Sequence, residues 1–188
     1  MQIKSDLRKL MLSKRNSITD EYRTEAGNTV CENTLLREQL RCADSVLCYI
    51  SIGSEMPTEG IIAYCLKNGI KTAAPVCTDS DILFRYIADT DDLEFGSFSI
   101  PEPKAFCPIA DITPATVCIT PAVCFNENGF RIGYGKGYYD RFFAKNKCIK
   151  IGLCYEELII DFSPDENDAA VDMIVTEHGF RRLHNGQQ

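Results

Sequence analysis

A chain of 188 residues that is 45% apolar has enough hydrophobic material for one α/β-sized domain with a sizeable core. Its net charge of −7 disfavours extended contact with a nucleic-acid backbone, and no run approaches the roughly 18 apolar residues of a membrane span. The charged, amphipathic opening is not signal-like, so the expectation is a cytoplasmic protein with no nucleic-acid or membrane partner. Ten cysteines are spread singly from Cys31 to Cys154 without a C-x-x-C pair, beside only two histidines. They read as small buried hydrophobes of a reduced protein rather than as a zinc site or a disulfide scaffold.

The helical spacing of Ile3, Leu7, Leu10 and Met11 predicts a first helix from Ile3 to about Lys14. Lys4 and Arg8 lie one turn apart on another face, either as solvated charges or as a grip on one anion. Ser17-Ile-Thr-Asp20 has the form of a capping box and predicts a second helix to about Leu40, with Tyr22, Ala26, Val30 and Leu36 facing inward.

Ser45 to Ile52 predicts a buried strand ended by Gly53 and Pro57. Glu59 to Lys67 follows as a helix closed by Asn68-Gly69, and Ile70 to Val76 as the next strand. Strand, helix and strand joined by short turns form a βαβ unit. That unit predicts an α/β fold over residues 1–188: a single domain with a mostly parallel central sheet and helices on both faces. Glu55 sits where the first strand ends, the edge at which α/β sheets bind ligands. It serves there as a solvated loop acid, as a helix-start residue favoured by the dipole, or as an acceptor for an amino-substituted heterocycle.

Ile82 to Ile87 predicts another strand, Asp89 to Glu94 an acidic turn, and Ile100-Pro-Glu-Pro103 an extended crossing fixed by its prolines. Thr116 to Phe125 is the most strand-like run, and it leads through the turn Asn126-Glu-Asn-Gly129 into Gly129-Phe-Arg-Ile-Gly-Tyr-Gly-Lys-Gly-Tyr-Tyr-Asp-Arg-Phe142. Gly133, Gly135 and Gly137 let a ligand approach the main chain. Backbone N–H groups at the start of a following helix, with the mobile charge of Lys136, make this an anion cradle. The helix from about Lys136 to Lys145 presents Tyr138, Tyr139, Phe142 and Phe143 on one face, with Asp140 and Arg141 beside it. Cys148 to Tyr155 and Val171 to Thr176 predict the last strands. Between Ile151 and Phe180 stand eight acidic residues and no Lys or Arg, either a solvated loop or a place for a divalent cation. The tail after Arg182 is expected to fray.

The cradle is not a Walker A loop: Phe130 stands where glycine is required and Gly137 where Ser or Thr is required. Nor is it the dinucleotide fingerprint, which needs glycine at Tyr138. What it resembles is the signature of the 5-formyltetrahydrofolate cyclo-ligase family, also called 5,10-methenyltetrahydrofolate synthetase. The family stretch G-x-R-x-G-x-G-x-G-Y-Y-D-R is matched by Gly129, Arg131, Gly133, Gly135, Gly137, Tyr138, Tyr139, Asp140 and Arg141. The resemblance extends to Lys4 and Arg8, Glu55-Met-Pro-Thr58, Ile100-Pro-Glu-Pro103, Glu166 to Asp172, and Ile174-Val-Thr-Glu177. Asn126, Ala122 and Leu158 depart from the family's usual Asp, Gly and Gln, which bears on substrate contacts near the last two and leaves the phosphate loop intact.

The resemblance implies a ligase that uses ATP and magnesium to convert 5-formyltetrahydrofolate into 5,10-methenyltetrahydrofolate. It puts ATP on Lys4, Arg8, Arg131, Ile132, Gly133, Tyr134, Gly135, Lys136, Gly137, Tyr138 and Tyr139. Lys136 and Arg131 are the implied catalytic residues. Magnesium falls to Asp140 and Asp168, with Asp172 as a substitute for the latter. The folate falls to Ile50 and Glu55, with Tyr134, Gly135, Lys136, Gly137 and Tyr138 shared by both ligands. The implied partners are these small molecules, for a monomer or small homo-oligomer. Two competing readings are a sugar-phosphate isomerase, which needs no ATP, and a folate or nucleotide sensor, which binds without turnover.

Overall fold

The computed structural model describes residues 2–96 and 100–183, with side chains from Lys4 onward; the inward position expected of Ile3 and the fraying tail lie outside the described residues. Helix α1 spans Gln2–Asn16, and Ser17 closes it by donating its Oγ–H to the Lys14 carbonyl at 2.7 Å. Ser17 is therefore not the start of the next helix. Thr19 is, its Oγ1 accepting from the Tyr22 N–H at 3.2 Å at the head of α2 (Asp20–Glu32).

The single helix expected as far as Leu40 is broken at Asn33. This residue ends α2 by donating its N–H to the Val30 carbonyl, and its Oδ1 accepts from the Leu36 N–H at 3.0 Å to open α3 (Thr34–Cys42). An Asn side chain competes for backbone donors, and here the competition turns the chain. Both halves then bury their apolar stripes, Ala26 and Val30 from one and Leu36 and Leu40 from the other. Tyr22, expected inward, is 41% exposed, and its hydroxyl donates to Glu177 at 2.8 Å.

The remaining elements follow as β1 (Val46–Cys48), α4 (Glu59–Lys67), β2 (Thr72–Cys77), β3 (Ile82–Ile87), β4 (Leu93–Phe95), β5 (Pro101–Pro103) and β6 (Val117–Pro121). Then come β7 (Cys124–Phe125), β8 (Arg131–Ile132), α5 (Tyr138–Lys145), β9 (Ile149–Leu153), β10 (Met173–Thr176) and β11 (Gly179–Arg182). A seven-stranded sheet has the order β11-β10-β9-β6-β1-β2-β3. From β10 to β2 its neighbours run parallel, and the two edge strands, β11 and β3, are antiparallel. The fold is thus the mostly parallel α/β sheet that the βαβ pattern predicts. The strand β11 was not expected.

Period-two alternation places the helices. Val46 and Cys48 of β1, with Val117 and Ile119 of β6 and Ile151 and Leu153 of β9, pack in the core cluster that holds Met11, Val30, Leu36 and Ile61 of the first four helices. Leu47, Ala73 and Cys118 point to the other face, where Phe142 of α5 and Phe84 cover them. Burying one such side chain contributes roughly 1.5–3 kcal/mol. Six of the ten cysteines are buried, four of them in these two layers, and all ten are free thiols. Gly27 lets α2 approach the turn after β1: a Cβ there would lie 2.8 Å from Pro57 Cβ. Among the described residues no helix is long and apolar enough to cross a membrane.

Two details of connectivity position the site. From β1 the chain moves to β2 on one side, and later to β6 on the other, so the strand order reverses between β1 and β6. In open α/β sheets, the crevice beyond the carboxyl ends at such a reversal is the usual ligand site. Second, the run expected as one strand from Thr116 to Phe125 leaves the sheet after Pro121. Its end, β7, pairs instead with β8 in a hairpin, Cys124 opposite Ile132 and Phe125 opposite Arg131. That hairpin delivers the glycine stretch to the crevice.

Candidate active site

A cavity of about 850 Å³ opens beyond the carboxyl ends of β1, β2 and β6. Lys4, Arg8, Ile50, Glu55, the whole segment from Arg131 to Tyr139, Asp140 and Asp168 all line it. The structure therefore gathers every candidate residue drawn from the sequence except Asp172, the substitute for Asp168. Apolar wall comes from residues not singled out there, among them Ile52, Pro75, Ile82 and Pro121. Asp172 is not on the wall: its Oδ2 accepts from the Lys150 N–H at 2.7 Å and so ties β10 to β9. The departures noted in the sequence also lie off the wall. Asn126 fixes its own turn, its Oδ1 accepting from the Asn128 and Phe130 N–H groups at 3.0 Å. Leu158 and Ala122 are buried.

At the phosphate end the loop is held from both sides. Arg8 Nε donates to the Gly133 carbonyl at 2.6 Å, and Arg141 NH1 donates to the Lys136 carbonyl at 2.8 Å. Gly135 and Gly137 adopt φ of +94° and +66°, which only glycine takes without strain, whereas Gly133 does not. A left-handed Gly137 turns the chain directly into α5, whose first N–H groups lack intrahelical partners and face anions favourably. Lys136 makes no ion pair among the described residues, and its ammonium stays available to a ligand.

Beside the loop, opposite charges are paired. Lys4 Nζ lies 2.8 Å from Asp165 and 2.5 Å from Asp168. Burial disfavours its charge, but the two carboxylates outweigh this and hold its pKa above the ordinary lysine value. Arg131 donates from NH2 to Asp140 Oδ1 and from NH1 to the Ala169 carbonyl, both at 2.8 Å. Its guanidinium also lies over the Tyr139 and Phe143 rings. The Ala169 N–H donates to the same Asp140 oxygen at 3.2 Å, so Asp140 and the Asp168-Ala169 segment are tied together.

Each carboxylate keeps one oxygen, Oδ2 of Asp140 and Oδ1 of Asp168, that accepts no hydrogen bond among the described residues. No group of three or more His, Cys, Asp or Glu side chains among the described residues could hold a metal alone. Magnesium, however, is commonly held by one or two carboxylates together with substrate phosphates and water. The donor set fits such an ion.

At the other end, Glu55 is only 5% exposed. Its Oε2 accepts from the Ile52 N–H and its Oε1 from the Tyr134 hydroxyl, both at 3.0 Å. Burial raises its pKa above the usual carboxylate value, against the opposing pull of the Ile52 N–H, Arg15 and Tyr134. Sequence reading missed Arg15, which is 3% exposed at the end of α1. Its Nε donates to Ser54 Oγ at 3.1 Å, NH1 to the Ala122 carbonyl at 2.9 Å and NH2 to the Tyr134 hydroxyl at 2.5 Å. The available signal was position: residues 4, 8 and 15 fall on one stripe of a helix turning 100° per residue.

A doubly wound α/β protein with a glycine anion cradle facing a buried carboxylate across its switch point is the class that fold and cavity define. The family model described as the 5-formyltetrahydrofolate cyclo-ligase family matches residues 1–177, and the chain belongs to that family. A "Probable 5-formyltetrahydrofolate cyclo-ligase" of Caenorhabditis elegans is 28% identical over 94% of this chain and 93% of its own length. The 5-formyltetrahydrofolate cyclo-ligase of Escherichia coli K12 is 25% identical over 89% of this chain and 96% of its own. Among solved structures, the NMR structure of Aquifex aeolicus 5,10-methenyltetrahydrofolate synthetase superposes with a TM-score of 0.87 at 29% identity. That match covers 99% of this chain and 95% of the other.

Proposed function

We propose that this chain is a ligase that spends ATP, with magnesium, to close 5-formyltetrahydrofolate to 5,10-methenyltetrahydrofolate, releasing ADP and phosphate. The observation that carries the reading is that one cavity of about 850 Å³ joins a glycine cradle and Lys136, which makes no ion pair among the described residues, to the buried acceptor Glu55. An anion site alone would fit an isomerase. The second, hydrogen-bonding end supports a reaction between a phosphate donor and a heterocycle with amino and ring N–H donors.

In this mechanism Lys4, Arg8 and the loop from Ile132 to Tyr139 hold the triphosphate, and Ile50 and Glu55 hold the pterin. The formyl oxygen attacks the γ-phosphorus and the bond to the β-phosphate oxygen breaks, releasing ADP. N10 then attacks the activated formyl carbon and loses its proton, and phosphate departs with the former formyl oxygen. Little covalent chemistry is asked of the protein beyond alignment and charge neutralisation. Lys136 supplies the mobile charge to the transferring group, and Arg131 acts through Asp140 as a positioning residue. Magnesium on Asp140 and Asp168 would add positive charge at the phosphate oxygens. The ten unpaired thiols support a reducing, cytoplasmic setting, and the expected partners are ATP and a reduced folate.

The test is direct. Protein, ATP, magnesium and 5-formyltetrahydrofolate are mixed and the absorbance of the methenyl product is followed. The expected result is a rise that requires ATP, and its absence refutes the proposal.

A further inference from the structure

Arg15 does not line the cavity, yet all three of its guanidinium nitrogens are committed to groups around the folate end. A guanidinium only donates. When NH2 donates to the Tyr134 oxygen, the phenol must send its own proton onward, and Glu55 Oε1 lies 3.0 Å away to receive it. The Ile52 N–H engages the other Glu55 oxygen. The carboxylate is thereby fixed in orientation from both sides while each oxygen retains a further lone pair for a ligand.

Charge follows the same path. Among the described residues, the titratable groups coupled electrostatically to Glu55 from other elements are, besides Arg15, phenols: Tyr49 after β1, Tyr134 in the loop, Tyr139 in α5 and Tyr155 after β9. Burial holds Tyr49 and Tyr139 well above the ordinary tyrosine value and Tyr155 at about 12, so none is charged near neutrality. Arg15 is the cation that opposes the effect of burial on Glu55. We infer that Arg15 is a positioning residue of the reduced-folate subsite, which through Tyr134 keeps Glu55 aimed at the ligand's paired donors and through its own charge favours the carboxylate form. This inference rests on the cyclo-ligase reading of the cavity.

The experiment compares wild type, Arg15→Met and Arg15→Lys by steady-state kinetics in each substrate across pH, with calorimetric titration of 5-formyltetrahydrofolate alongside. Arg15→Met is expected to raise KM for the folate about tenfold or more, because the lost contacts belong to the charged class. KM for ATP should stay within about threefold. The acid limb of kcat/KM for the folate should move to higher pH, since Glu55 protonates more readily without the cation. Arg15→Lys keeps the charge and loses the fork, so it should leave the acid limb in place with an intermediate KM.

Unchanged folate kinetics in Arg15→Met, or equal rises in both KM values with an unmoved acid limb, overturns the inference. If Arg15→Met does not fold, the Arg15→Lys profile decides by the same criteria. If wild type binds the folate without turnover, the cyclo-ligase reading fails by itself. The calorimetric affinity then tests the inference: a tenfold loss in Arg15→Met upholds it and an unchanged affinity sinks it. Absence of folate binding to wild type overturns both.

Discussion

Arg131→Met removes a guanidinium that is 5% exposed and separates it from an Asp140 carboxylate that is 29% exposed. Two hydrogen bonds of 2.8 Å go with it, to Asp140 and to the Ala169 carbonyl. Breaking one side of a buried pair costs about 3–5 kcal/mol. Asp140 retains water on one side, so the lower end, about 3 kcal/mol, is expected. With a urea m-value of about 2 kcal/mol per molar, the midpoint should fall by roughly 1.5 M. Asp140→Asn keeps a neutral acceptor for Arg131 and should cost only about 1 kcal/mol.

If the pair is the main cause, the double variant loses about 2 kcal/mol rather than the sum of about 4, a coupling near 2 kcal/mol. Urea denaturation of the four proteins measures it. The kinetic counterpart is a higher magnesium concentration for half-maximal turnover in Arg131→Met, with KM for the folate unchanged. Additivity within about 0.5 kcal/mol, or a magnesium requirement that does not move, refutes the assignment of Arg131 to positioning Asp140.

Two further outcomes follow from the same geometry. Lys136→Ala should lower kcat by about 10²–10³-fold, the scale of losing one group aimed at developing charge. Its thermal midpoint should match wild type, because Lys136 makes no ion pair among the described residues. Glu55→Gln should raise KM for the folate by about tenfold or more while the protein stays at least as stable at pH 7. The sign follows from burial: Glu55's folded pKa lies above its unfolded value. Its carboxylate therefore costs stability above that folded pKa and stops doing so as pH falls below the unfolded one. The advantage of the Gln variant should shrink with acidification in a denaturation series, and an advantage that grows contradicts the assignment.

What the sequence made legible was local or periodic. The βαβ pattern predicted the parallel sheet, and the glycine spacing marked residues that one cavity wall now contains. The failures share a physical cause in tertiary context. Arg15 finds its partners at Ser54, Ala122 and Tyr134, far along the chain, and alone it reads as a basic residue complementing the end of a helix. Asn33 sits in a run with helical periodicity on both sides, and only the packing of two separate stripes shows why the axis must turn there. Arg131 was matched as one member of a phosphate-binding motif. Nothing in that motif foretells that Asp140 and the Ala169 carbonyl occupy two of its nitrogens.

Gly27 makes α2 a place where heat resistance and turnover pull in opposite directions. By helix propensity, alanine there should gain roughly 1 kcal/mol, and such positions are ordinary targets for stabilisation. The added methyl would meet the Pro57 ring at 2.8 Å, two residues from Glu55. Any shift that relieves the clash passes to the turn that aims the carboxylate. Selection for thermal survival alone could therefore erode catalysis without altering a single residue of the cavity wall.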